Sequence, residues 1–146
     1  MTVYIQKLDP RAQAPERATA GSAGADLHAL LDEVLTIPPG GRAAVPTGIA
    51  IGLPSPETVG LVFARSGLAT KRGLAPANKV GVIDPDYRGE FFVPLRNESA
   101  VPQAIEPGER IAQMILTPFL TAQFVEAETL SATVRGEGGF GSTGTK

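Results

Sequence analysis

The sequence predicts an all-β domain, on three observations: short apolar runs in strand alternation, turn residues that punctuate them every several positions, and the lack of any long helical periodicity. The punctuation comes from 17 glycines and 13 prolines, enough to interrupt a helix almost anywhere but well suited to joining short strands. Strands are expected at 3–8, 25–29, 34–37, 42–46, 48–52, 59–64, 79–84, 90–97, 104–106, 110–117 and 123–126. Pro-Pro-Gly-Gly at 38–41 and Glu-Pro-Gly-Glu at 106–109 read as turns. The single helix expected runs from Ser66, as its cap, through Arg72, with Gly73 ending it and Lys71 and Arg72 suiting its carboxyl end. The free N–H groups at the entry of such a helix, beside Arg65 and Ser66, are a natural place for an anion.

Length and composition narrow the function classes. A chain of 146 residues fits one domain that buries roughly 68–70% of its unfolded surface without covalent staples. It has no cysteine, so disulfides, thiolate zinc sites and a cysteine nucleophile are excluded, and this suits a reducing cytoplasm. His28 is the lone histidine, which rules out a multi-histidine metal site within one chain; it is read as an ordinary strand residue. The first ten residues lack a basic stretch followed by an apolar core, and no run has the length of a membrane span, so a soluble, cytoplasmic protein with no membrane partner is expected. A net charge of −2 argues against a broad grip on nucleic acid. The local cations Arg65, Lys71, Arg72, Arg88 and Arg135 favour small anions instead.

The segment 78–90, Asn-Lys-Val-Gly-Val-Ile-Asp-Pro-Asp-Tyr-Arg-Gly-Glu, is the most informative. Val80, Val82 and Ile83 favour extended backbone and lead into Asp-Pro-Asp turn chemistry, which puts Asp84 at a strand end on a rigid frame, where a carboxylate can act on a substrate. The run 90–97 reads as the returning strand of a hairpin with Val82 roughly opposite Phe92. The extra carboxylate Asp86 has two readings, a bridge to Arg88 or repulsion near an anion. The end of the chain has a different character. Glycines 136, 138 and 141 match G-x-G-x-x-G formally, but no parallel βαβ unit surrounds them and too little chain follows for a helix, so a dinucleotide site is rejected. Arg135, Phe140 and Ser142 among successive glycines read instead as a mobile lid, residues 135–146, over a phosphate-bearing ligand, with 1–134 as the core of the same domain.

Five segments in order, 23–27 (AGADL), 64–68 (ARSGL), 81–89 (GVIDPDYRG), 108–115 (GERIAQMI) and 135–144 (RGEGGFGSTG), give the chain its resemblance to the deoxyuridine triphosphatase family over nearly its whole length. The resemblance implies a distorted jelly-roll (β-clip) domain with a flexible tail, assembled as a homotrimer with shared active sites. It also implies hydrolysis of dUTP to dUMP and pyrophosphate, which limits uracil in DNA and supplies dUMP for dTMP synthesis. By resemblance Asp84 is the base that activates water for attack on the α-phosphorus. Arg65, Ser66, Gly67 and Gln113 match phosphate-side residues, and Arg135, Gly141 and Ser142 match the tail over the γ-phosphate. Asn78, Gly81, Val82, Ile83, Asp84 and the main chain of Phe92 match the uracil and sugar pocket, Tyr87 the ring against deoxyribose, and Phe140 the ring stacked on uracil. Asp26 matches an acidic residue near Mg²⁺, reached through water. Two other readings stay open: a dCTP deaminase of the same fold, against which Pro94 stands where that family has a glutamate base, and a nucleotide-binding protein without turnover.

Overall fold

The computed structural model describes residues 1–139; the expectations for Phe140, Gly141 and Ser142 lie outside the described residues. Those residues form eleven strands and one short helix: β1 (Tyr4–Lys7), β2 (Ala25–His28), β3 (Leu35–Ile37), β4 (Arg42–Pro46), β5 (Ile49–Gly52), β6 (Thr58–Phe63), α1 (Ser66–Arg72), β7 (Leu74–Pro76), β8 (Gly81–Ile83), β9 (Phe92–Asn97), β10 (Gln103–Ile105) and β11 (Arg110–Pro118). The mostly-β expectation holds. All strand pairs are antiparallel and fall into four small sheets: β1-β5, β3-β10, β2-β11-β6-β8 and β4-β9-β7. Between them lies one apolar core, in which Leu27, Ile37, Val45, Ile49, Ile51, Leu74, Leu95, Ile105 and Ile111 are buried. Along β9 the alternation is clean, with Val93, Leu95 and Asn97 pointing inward. Asn97 satisfies its buried amide fully: Nδ2 donates to the Ile37 and Val101 carbonyls, and Oδ1 accepts from the Ser99 N–H and hydroxyl.

The predicted hairpin is corrected. β9 is the central strand of its sheet, with β4 on one edge and β7 on the other, so it has no free edge for β8. β8 pairs with β6 instead, and Val82 faces Leu61 rather than Phe92. The connection is pulled away from β8 at Phe91, whose N–H donates to the Ile49 carbonyl and whose own carbonyl accepts from the Thr47 N–H and hydroxyl. β8 and β9 therefore diverge into different sheets and leave a gap between them. In the β6–β8 pair, Gly60 lies opposite Ile83 and Gly81 opposite Val62; a Cβ on either glycine would stand 3.2 Å from the facing Cβ.

Three further expectations change. The strand at 123–126 does not form: from Leu120 to Ala132 the chain makes no hydrogen bond among the described residues, and Phe124 is 96% exposed. β7, hidden in the sequence between a glycine and a proline, joins the sheet unanticipated. The helix cap is Arg65, in extended backbone and without a side-chain cap bond, so Ser66 is the first helical residue. The other end is as expected, with Gly73 left-handed at φ 65° and its N–H on the Ala69 carbonyl.

Candidate active site

Two clefts gather most of the predicted residues, and they share no lining residue. The first, of about 420 Å³, is lined by Gly24, Asp26, Arg65, Ser66, Gly67 and Gln113 together with Ala18, Ser22, Ala23 and Ile115. Its groups are fixed by one another. Asp26, 8% exposed, accepts from Arg65 Nε at 2.8 Å on one oxygen and from Arg110 Nη1 at 3.2 Å on the other. Arg65 also reaches the Arg110 carbonyl through Nη1, leaving Nη2 without a partner among the described residues. Gln113 sits on β11 between β2 and β6, and its Nε2 donates to the Ala64 carbonyl at 2.9 Å. Gly24 makes room for it, since a Cβ there would come within 2.5 Å of Gln113 Oε1. The first three N–H groups of α1, on Ser66, Gly67 and Leu68, have no partner among the described residues. A cation, an amide and free N–H groups around one cavity suit an oxyanion.

The second cleft, of about 200 Å³, is the gap left by the diverging strands. Val82, Ile83, Asp84, Tyr87, Glu90, Phe91 and Phe92 line it. Asp84 stands just past β8, in a turn closed by the Tyr87 N–H on the Asp84 carbonyl at 3.1 Å. Tyr87 is held by its hydroxyl, which donates to the Glu90 carbonyl at 2.9 Å, and by stacking on buried Phe91 with ring centres 6.2 Å apart. Gly89 permits that pose, because a Cβ would fall 2.4 Å from the Tyr87 hydroxyl oxygen. Val82, Tyr87 and Phe92 are exposed, giving this cleft an apolar rim. Because β8 is an edge strand, its second row of backbone donors and acceptors is open. Asp84 also borders a broader cavity of about 660 Å³ on its other side, with Leu53, Pro54, Ser55, Pro56, Pro85, Asp86 and Arg88.

Other predicted residues lie elsewhere. Asn78 is exposed in the turn before β8. Arg135 lines neither cleft, and its Nε donates to the Gly138 carbonyl within a local turn. Arg72 is committed to Gln103, Glu109 and the Ala104 carbonyl, so it ties α1 to the β10–β11 turn and is not available to an anion. Arg88 takes the Pro85 and Tyr87 carbonyls and makes no bridge to Asp86. Sequence reasoning missed Arg110, whose partner Asp26 lies 84 positions away; its place in 108–115 was the only available signal.

A family model described as dUTPase matches residues 10–144. The chain belongs to the dUTPase family. A deoxyuridine 5'-triphosphate nucleotidohydrolase of Desulfitobacterium hafniense is 52% identical over 141 residues, covering 97% of this chain and 93% of the relative. One from Acinetobacter baumannii is 46% identical over 148 residues, covering 99% of each. Among solved structures, a point mutant of the dUTPase of Staphylococcus bacteriophage 80alpha superposes with a TM-score of 0.87 at 28% identity, over 97% of this chain and 98% of that one. Another mutant of that phage dUTPase, solved with dUpNHpp, gives 0.84 at 27% identity over 98% of each. The dUTPase family fold thus spans essentially the whole of this chain.

Proposed function

We propose that this protein hydrolyses dUTP to dUMP and pyrophosphate, with Asp84 as the base that activates water. The observation that carries the reading is the placement of Asp84 at the end of an open-edged strand, in the wall of a cleft rimmed by Val82, Tyr87 and Phe92. Uracil presents one donor between two acceptors, and the free edge of Gly81–Ile83 offers backbone groups that complement it; cytosine reverses two of these positions. Unpaired buried polar groups then give discrimination on the order of 10⁴–10⁵. Tyr87, held at both ends, packs against deoxyribose and leaves no room for a 2′-hydroxyl. Arg65, Ser66, Gly67 and Gln113 take phosphate oxygens, and Arg135 with Gly141, Ser142 and Phe140 closes over the ligand. A base contributes about 10²–10⁴ in rate, so most of the acceleration falls to the phosphate-side cations and N–H groups.

The residues fit Mg²⁺ carried by the substrate. No cluster of three acidic or histidine side chains is present among the described residues of one chain, which suits an ion held mainly by phosphate oxygens and water. Asp26 accepts one guanidinium bond on each oxygen, and a carboxylate has capacity for about four, which leaves room for a water of the ion's shell. When bound, Mg²⁺ neutralises and orients phosphate oxygens.

The resemblance implies a homotrimer with shared sites, and two features support that reading. The clefts share no residue within one chain, and the segment after β11 carries Leu120, Phe124, Val125, Leu130 and Val134 largely exposed, an apolar surface that a second copy would cover. The test is product analysis with Mg²⁺ and dUTP, dCTP, dTTP or UTP supplied separately. Pyrophosphate from dUTP alone is expected. Ammonia from dCTP, or no product from any, would overturn the reading.

A further inference from the structure

β8 begins from an unusual turn. The Val80 N–H donates to the Asn78 carbonyl at 2.7 Å, closing three residues, and the central Lys79 has φ 66°. This is the γ-turn of positive φ, a rare and strained form. Lys79 is the one non-glycine residue among those described with positive φ, and its side chain gives none of the local hydrogen-bonding relief that Asn or Asp brings to this region. Strained backbone persists where surrounding bonds over-determine it. Here the Lys79 N–H donates to the Pro76 carbonyl, the Ala77 N–H to the Pro94 carbonyl, and Lys79 Nζ to Glu98 Oε1 at 2.7 Å. Glu98 is anchored in turn through its own N–H, which donates to the Gly73 carbonyl at the end of α1. The ammonium also holds the Glu98 carboxyl below its ordinary range.

β8 needs such a device. It is three residues long and laddered on one side only, so no second strand fixes the line of its free edge. We propose that Lys79 is a positioning residue for the nucleoside cleft: its strained turn, latched to Glu98, sets the direction in which Gly81–Ile83 leaves and so the placement of the open edge that meets the base. This rests on the reading of that edge as the base-recognising surface.

The experiment is steady-state dUTP hydrolysis and thermal unfolding of the wild type, Lys79→Gly, Glu98→Gln and Lys79→Arg. Glycine accepts φ 66° without strain but neither enforces it nor reaches Glu98. The expected result for Lys79→Gly is a Tm no lower than wild type, with KM for dUTP raised about three- to tenfold and kcat within about twofold. Glu98→Gln should raise KM in the same direction, and Lys79→Arg, which keeps the latch, should match the wild type. KM within about twofold of wild type for both Lys79→Gly and Glu98→Gln would overturn the proposal, whether or not Tm falls. A wild type that releases no pyrophosphate from dUTP would instead defeat the proposed function, so the two failures are distinguishable.

Discussion

The two clefts of this chain are built on opposite plans. Around Asp26 the side chains are already held in place by one another: each carboxylate oxygen has a guanidinium, and the Gln113 amide is pinned to Ala64, so the Arg65 Nη2 and helix N–H groups left free among the described residues are aimed in advance. Around Asp84 the groups that would meet a ligand are unpaired: β8 keeps an open edge, and the side chains on the rim are exposed. A cleft that handles charge gains from preorganisation, because groups already aimed need no rearrangement when charge develops. A cleft that reads a flat base gains from vacancy, since a buried donor or acceptor left empty by the wrong base is what penalises it.

That contrast can be broken at its centre. Asp84→Asn keeps the turn but removes the carboxylate proposed as the base, so kcat should fall by about 10²–10⁴ while dUTP binding is retained; single-turnover kinetics alongside titration with a non-hydrolysable analogue checks both halves. Near-normal turnover would remove Asp84 as the base. On the other side, Asp26→Asn keeps the shape but removes the charge and one of the two oxygens that hold Arg65 and Arg110. A rise of about tenfold in KM for dUTP is expected, with a smaller change in kcat, and an unchanged KM would show that Arg65 does not depend on its partner.

The smallest effect sharpens the comparison by pH. His28, on β2 two residues from Asp26, has a buried Nδ1 with no partner in the described structure. Burial lowers its pKa below 6.5, with nearby Asp26 opposing the shift and Arg110 adding to it. The unfolded chain binds this proton near 6.5 and the folded chain only at lower pH. Stability is therefore full above that value and declines as pH falls through the window beneath it. Replacing His28 by Gln should flatten the slope of Tm against pH below about 6.5. An unaltered slope would assign the acid sensitivity to other groups.

Much of this was legible in the sequence because it is local. Alternation placed ten of the eleven strands, and Gly73 marked the end of α1, since both signals depend on neighbours along the chain. What depends on distant partners was not legible. The 123–126 segment has strand composition, yet β-propensity is realised only against a neighbouring strand, and none lies beside it among the described residues. Val82 and Phe92 suggested a hairpin because the turn between them looks like one; nothing local reveals that β4 and β7 have already taken both edges of β9. The Arg65–Asp26–Arg110 arrangement joins positions 39 and 84 apart and could be seen only once folded.

The open edge of β8 has a cost as well as a use. An unpaired strand edge is a template for any extended chain that reaches it, and so a route to aggregation. Here the exposed ladder is kept to three residues, with a lysine in the turn before it and a proline one residue beyond Asp84, both of which discourage a passing strand from docking. On the proposed reading, the same brevity that would fit one base also offers a polypeptide little to pair with, so recognition of a small molecule and refusal of a large one would come from a single stretch of backbone.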